Sequence, residues 1–326
     1  MLTFLPLFLP PPSAPTFEIK RQFSVPGDGG WDYLTVDPDS KRLFITRGTH
    51  VQVMDTESGK LISDIPDTPG VHGVALDKAA NKGFISNGRD DSVSIIDLKT
   101  LKETSRVKVG QGPDAILFDS SSNTVFSFNG RSHNASAIDA KSGKVRGEVA
   151  LEGKPEDGIS DGKGDVYVNL EDKSEVVEFD AKSLKVLKRW SLAPGEEPTG
   201  IAYDAKKGLV FSACGNAMLA VSDAKTGKVL QTTPTGDGTD YAGYDPSSGT
   251  VFTSNGEGTL SVVQASGDKY STVQNLKTKA SARTMAVDAK HHLIYLIAAD
   301  FEAPQPGRRR GAMKPNSAII LVVGVK

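Results

Sequence analysis

The sequence predicts an all-β fold, a seven-bladed β-propeller with four-stranded antiparallel blades. Three observations carry that expectation. A hydrophobic run ending in Asp recurs at Asp37, Asp77, Asp119, Asp161, Asp204, Asp245 and Asp288, at spacings of 40, 42, 42, 43, 41 and 43 residues. A second run recurs between them, ending at Asp55, Asp97, Asp139, Asp180 and Asp223, with Gln264 at the sixth position. The last unit is one strand short, and a spare strand-like segment stands at the other end of the chain. A period of about 40–50 residues made of several short strands is the signature of propeller blades.

Each unit reads as four strands, a to d. In the second, GVHGVALD is strand a, KGFISN strand b, SVSIIDL strand c and ETSRVKV strand d. Short alternating or fully apolar runs bounded by Gly, Asn, Asp and Ser favour strands over helices. The c–d hairpins share a turn: TESGK, LKTLK, AKSGK, AKSLK and AKTGK. A turn that returns at the same place in blade after blade is structural. The same reading applies to the strand-end Asp residues, which can accept backbone hydrogen bonds in the a–b turn. It applies equally to Asn87, Asn129, Asn169 and Asn255, which follow strand b.

The seventh unit supplies strands a (RTMAVD), b (LIYLIAA) and c (SAIILVVGV), and then the chain stops. Its fourth strand is expected from FEIKRQFSV, residues 17–25, because closing the ring removes an exposed sheet edge. One long insertion, FEAPQPGRRRGAMKPN, separates strands b and c of that unit.

A length of 326 residues would by itself suggest two domains, but the uninterrupted repeat makes residues 17–326 one propeller domain. Residues 1–16, apolar and then Pro-rich, form a leader. Its apolar stretch resembles a signal-peptide core and is too short to span a membrane, although it lacks a basic start and contains prolines. A periplasmic or secreted protein is therefore expected, the alternative being a simple tail. The mature protein should have no transmembrane segment. The net charge of -2 creates no global field to recruit nucleic acid or an acidic membrane. The single cysteine, Cys214, excludes an intrachain disulfide and reads as a buried strand-end residue. Closed blades and the lack of an apolar heptad predict a monomer.

FISNGRDDSVSIIDLKTLK resembles the YVTN-type repeat, with VFSFNGRSHNASAID and VFTSNGEGTLSVV as looser copies. Over residues 17–326 the chain is similar to the YncE-like seven-bladed propellers. That resemblance implies a propeller of the exported bacterial type, with ligand, nucleic-acid or surface binding as associated roles. The fold hosts many chemistries, so it does not choose among them. Recurring Gly-His and Trp-Asp markers of WD repeats are missing.

Positions constant between blades serve the fold; a position that varies at one strategic place can carry function. Counting five residues back from each strand-end Asp gives Asp32, His72, Asp114, Glu156, Thr199, Asp240 and Arg283. These begin the innermost strands and can converge at the mouth of the central channel. Four carboxylates facing one axis repel, which raises some pKa values unless a cation or Arg283 neutralises them. Asp32, His72, Asp114 and Glu156 together suit a divalent metal ion, His72 widening the choice to transition metals. The remaining reading is a water-filled polar channel.

The b–c loops should open on the same face and bring Arg89, Arg131, His133 and Lys173 to the rim, with Arg308, Arg309 and Arg310 from the insertion. Trp31 could stack on a flat ligand, whereas Tyr33 and Tyr241 read as packing between blades. Glu197 could reach the mouth. His291 and His292 belong to the opposite face, and Asn134-Ala135-Ser136 is a glycosylation sequon only in a host that modifies it. No nucleotide-binding motif is present, so no nucleotide cofactor is expected. Three functions remain open: an exported propeller binding a small, anionic ligand or a divalent metal at the channel mouth; a metal-dependent lactonase or lyase using the same ring; and a scaffold binding protein or single-stranded nucleic acid through its basic loops.

Overall fold

The computed structural model describes residues 15–303 and 311–326. Seven four-stranded antiparallel sheets form the blades of one ring. Blade 1 spans residues 34–65, and blades 2 to 6 follow in sequence, each from an innermost strand a to an outermost strand d. The innermost strands are Leu34–Asp37, Val71–Asp77, Pro113–Asp119, Pro155–Ser160, Pro198–Asp204, Thr239–Asp245 and Thr284–Asp288.

The ring closes as expected. The first strand, Phe17–Ser24, pairs antiparallel with the last, Ile319–Val325, as the outer strand of blade 7. Closure is tied at both ends: the Lys326 amide donates to the Thr16 carbonyl at 2.8 Å, and the Val25 amide to the Ala318 carbonyl at 2.8 Å.

The repeated residues are turn formers. In the a–b turns, the Asp77 carboxylate accepts the Ala80 amide, Asp119 that of Ser122, and Asp288 those of Lys290 and His291. In the c–d hairpins, Asp97 accepts the Thr100 amide, Asp139 that of Ser142 and Asp223 that of Thr226. A buried or half-buried Asp that accepts turn amides replaces the water they would otherwise bind. Asn87, Asn129 and Asn255 close the b–c turns, each donating to hydroxyl or amide oxygens at the start of strand c.

The apolar core lies between blades rather than at one centre. Seven buried clusters correspond to the seven interfaces between adjacent blades. Phe126 of blade 3 meets Phe179 of blade 4 edge to face, with ring centroids 5.0 Å apart. Phe17 of the closing strand meets Phe252 of blade 6 in the same way at 5.1 Å. Cys214 is buried in the interface of blades 4 and 5, where burial pushes its thiol up to about 12, so it has no nucleophilic role.

No helix among the described residues is long and apolar enough to cross a membrane. Light scattering at micromolar concentration is expected to give the mass of one chain; a stable dimer would contradict it.

Candidate functional site at the channel mouth

The seven positions at the start of the innermost strands gather at one end of the channel, and a backbone device aims them. In blades 2 to 6 the pairing of strand a with strand b slips just after the first residue, between Val71 and Val74, Pro113 and Ile116, Pro155 and Gly158, Pro198 and Ile201, and Thr239 and Tyr241. His72, Asp114, Glu156, Thr199 and Asp240 therefore sit inside a bulge, outside the ladder, where a bulge re-aims side chains. Asp32 and Arg283 lie just before the first paired residues of blades 1 and 7.

Hydroxyls and amides of strand b hold the backbone at these positions of the next blade. Ser86 Oγ donates to the Asp114 carbonyl at 2.5 Å, Asn169 Nδ2 to the Thr199 carbonyl at 2.8 Å, and Ser254 Oγ to the Arg283 carbonyl at 2.5 Å. Sequence reasoning missed Ser86 and Ser254 as positioning residues; their only signal was a polar residue in an apolar strand b. It also missed Gly88, where a Cβ would lie 2.8 Å from His72 Nε2, so only glycine leaves room for the imidazole.

Three ring residues form one tight group. His72 Nδ1 lies 2.6 Å from Asp32 Oδ2 and 3.3 Å from Asp114 Oδ1. Ligating atoms of Asp32, His72 and Asp114 all lie within 4.8 Å of one another. Burial opposes the charge on His72, but the hydrogen bond to Asp32 and the nearby Asp114 outweigh it and raise its pKa. Burial pushes the Asp114 carboxyl up to about 6, against the pull of His72.

The other ring residues pair separately. Arg283 is bonded through Nη1 to Asp240 Oδ2, and its Nη2 lies 3.7 Å from Asp32 Oδ1. Glu156 stands outside the tight group, 3.2 Å from Lys154 Nζ, which is also paired with Glu171. Burial raises the Glu156 carboxyl to about 8, with Asp114 adding to the effect and Lys154 opposing it. Thr199 turns its hydroxyl into the wall, toward the Ala213 and Thr239 carbonyls.

At the rim, Arg131 is committed to Asp91 at 2.7 Å and the Gly88 carbonyl at 3.0 Å. Arg89, His133 and Glu197 are exposed. Trp31 packs on Phe301, centroids 5.9 Å apart, beside the core between blades 7 and 1. Its ring is thus used in packing. Arg308, Arg309 and Arg310 lie outside the described residues. On the opposite face His291 and His292 bond Asp288 and Asp245, each at 2.8 Å, a structural use.

Below the ring the channel is crossed by a tyrosine. Tyr33 of blade 1 reaches to blade 4, where its hydroxyl donates to the Glu156 carbonyl at 3.2 Å. Its ring meets Tyr241 edge to face at 5.9 Å. Tyr33 packs between blades as expected, but against the cluster of blades 3 and 4 on the far wall, where a carbonyl gives its hydroxyl a partner. Tyr241 does pack against the cluster between blades 6 and 7. Beside them Asp157 is buried, accepting the Gly158 amide at 2.8 Å and the Ile201 amide at 3.3 Å. Burial raises its carboxyl to about 7, the two amides opposing.

The fold and site define a seven-bladed propeller with an acid–imidazole group at one channel mouth. The chain belongs to the PQQ_2 family, described as outer membrane protein assembly factor BamB, whose model matches residues 89–308. No curated protein matches. Among solved structures, a chain of Kuenenia stuttgartiensis hydrazine synthase aligns with a TM-score of 0.74 at 15% identity, covering 82% of this chain and 92% of that one. A chain of a mitotic checkpoint complex crystal structure aligns with a TM-score of 0.77 at 13% identity, covering 99% of each. At such identities the likeness is one of fold.

Proposed function

We propose that the protein is an exported binding propeller whose channel mouth holds a divalent metal ion on Asp32, His72 and Asp114. The observation that carries this reading is the convergence of one imidazole and two carboxylates from three consecutive blades, with their ligating atoms within 4.8 Å. Two oxygen donors and one nitrogen suit a transition ion better than calcium. The ion would take the place of the proton between His72 and the carboxylates, and would relieve their repulsion. Glu156 stands near enough to act on the charge of a ligand bound there, and an anionic small ligand would be drawn by the metal. The YVTN-like repeat and the family's description as an outer membrane assembly factor support export, as does the apolar leader, most of which lies outside the described residues.

Of the loop cations on which the scaffold reading rests, Arg131 is already paired with Asp91, Arg89 is exposed, and Arg308, Arg309 and Arg310 lie outside the described residues. The lactonase or lyase reading uses the same metal and stands or falls with it.

Melting curves test the proposal. Manganese, cobalt or zinc is expected to raise the melting temperature of the chelator-treated wild type by mass action. The rise should vanish in His72→Ala and shrink in Asp114→Asn, with both variants folded. If no metal shifts the wild type, or the variants shift as much as it does, the mouth is a wet channel.

A further inference from the structure

We propose that the opposite mouth of the channel is a second ligand site, shaped for a small aromatic carboxylate. The observation is a contrast between the two ends of the same seven strands. One residue before the strand-end Asp, the blades present Val36, Leu76, Phe118, Tyr203, Tyr244 and Val287, with Ser160 as the one small polar residue. All are half-buried. The end that carries the acids and His72 is thus polar, and the end facing away is apolar and aromatic.

A cavity of about 510 Å³ opens there, walled by Ile159, Ile201, Tyr203, Tyr244 and Val287, with Tyr241 at its inner end. A neighbouring hollow of about 370 Å³ shares Ile159, Ile201, Tyr241 and Val287 with it and continues to Leu76 and Phe118. Together they form one vestibule that reaches Tyr241, whose ring meets Tyr33 where Tyr33 crosses to blade 4, and neither hollow is lined by Asp32, His72 or Asp114. The vestibule is therefore separate from the metal group above. Its size falls in the range of small-molecule sites, and walls of this kind favour burying a flat apolar body.

The rim supplies the charge preference. Lys206 borders the larger cavity and is exposed, and among the described residues no ion pair holds its ammonium. Lys78, at the neighbouring hollow, is by contrast tied to Asp39 at 2.5 Å. Among the described residues the vestibule is lined by two carboxylates, both buried and occupied: Asp204 accepts the amides of Lys206 and Lys207 at 2.9 and 3.2 Å, and Asp157 those of Gly158 and Ile201. An aromatic ring set between the two tyrosines would bring a carboxylate on its outer edge toward Lys206. A charge-assisted contact of that kind favours the anion over a neutral isostere.

Calorimetric titration of the full chain with 2-naphthoate and its neutral counterpart 2-naphthamide tests the site. One naphthoate per chain is expected, with the amide and the Lys206→Met variant each weaker by about tenfold, the size of one charge-assisted hydrogen bond. Methionine keeps the apolar stem and removes only the charge. Val287→Trp should abolish binding by filling the vestibule, and Val287→Phe, the milder change, should weaken it while melting normally. His72→Ala and added chelator should leave naphthoate binding unchanged, so the outcome is independent of the metal site. No saturable binding to the wild type overturns the site. So does binding lost in His72→Ala or untouched by both Val287 variants. Equal binding of acid and amide overturns the carboxylate assignment.

Discussion

Removal of residues 1–25 is expected to lower the melting temperature by roughly 10 °C or more, whereas removal of residues 1–15 leaves the curve where it was. The closing contacts begin at Thr16, whose carbonyl accepts the Lys326 amide, and at Phe17, whose amide donates to Gln274 Oε1 at 2.8 Å. The shorter deletion spares them. The longer one strips seven paired residues from the last strand and opens its edge. It also removes Phe17, which is buried against Phe252. Loss of a buried Phe costs about 3–5 kcal/mol, and each kcal/mol is worth about 2–4 °C in a chain of 150–250 residues. Light scattering during the melt should show earlier aggregation. Equal melting of the two truncations would mean that the ring does not depend on its closing strand.

The second large effect concerns pH. Urea melts of the metal-free protein are expected to show stability falling from about pH 4.5 to about pH 8, with each titrating group contributing a slope of up to roughly 1.4 kcal/mol per pH unit. The sign follows from the direction of the shifts. Asp157 and Glu156 have pKa values raised by burial to about 7 and about 8. The folded state therefore holds their protons more tightly than the unfolded chain. That contribution is complete below the ordinary carboxylate range and is lost as pH rises through the folded values. His72, also raised, adds the same sign. The turn aspartates act oppositely. The hydroxyl and amide of Ser142 lower Asp139, and those of Thr226 lower Asp223, so their contribution is lost only as pH falls through the acid range. The optimum should lie between the two regimes. Asp157→Asn keeps an acceptor for the Gly158 amide and should flatten the slope near neutrality; an unchanged slope would show that Asp157 ionises without cost to the fold.

Much of this molecule was legible in its sequence. The period of the strand-end Asp residues counted the blades, and the missing fourth strand after Val325 placed the N-terminal strand in blade 7. Both follow from local demands that repeat: each a–b turn needs an acceptor for its amides, and each sheet edge needs a partner. The same register located Asp32, His72, Asp114, Glu156, Thr199, Asp240 and Arg283 at one channel mouth, because equivalent positions in equivalent strands must lie at one level of the ring.

Only the tertiary structure decided how those side chains divide. Spacing along the chain is the same for Asp114 and Glu156, yet one meets His72 and the other Lys154. That choice depends on the bulges of blades 2 to 6, on Ser86 and Ser254 reaching across to the next blade, and on the space left by Gly88. Thr199 left the group because two carbonyls in the wall lay within reach. Tyr33 crossed the channel because its partner sits on the opposite wall, a contact between residues 123 apart that no repeat encodes. A periodic sequence determines what is common to the blades; contacts across the ring, set by its diameter and by each side chain's nearest unsatisfied partner, determine where they differ.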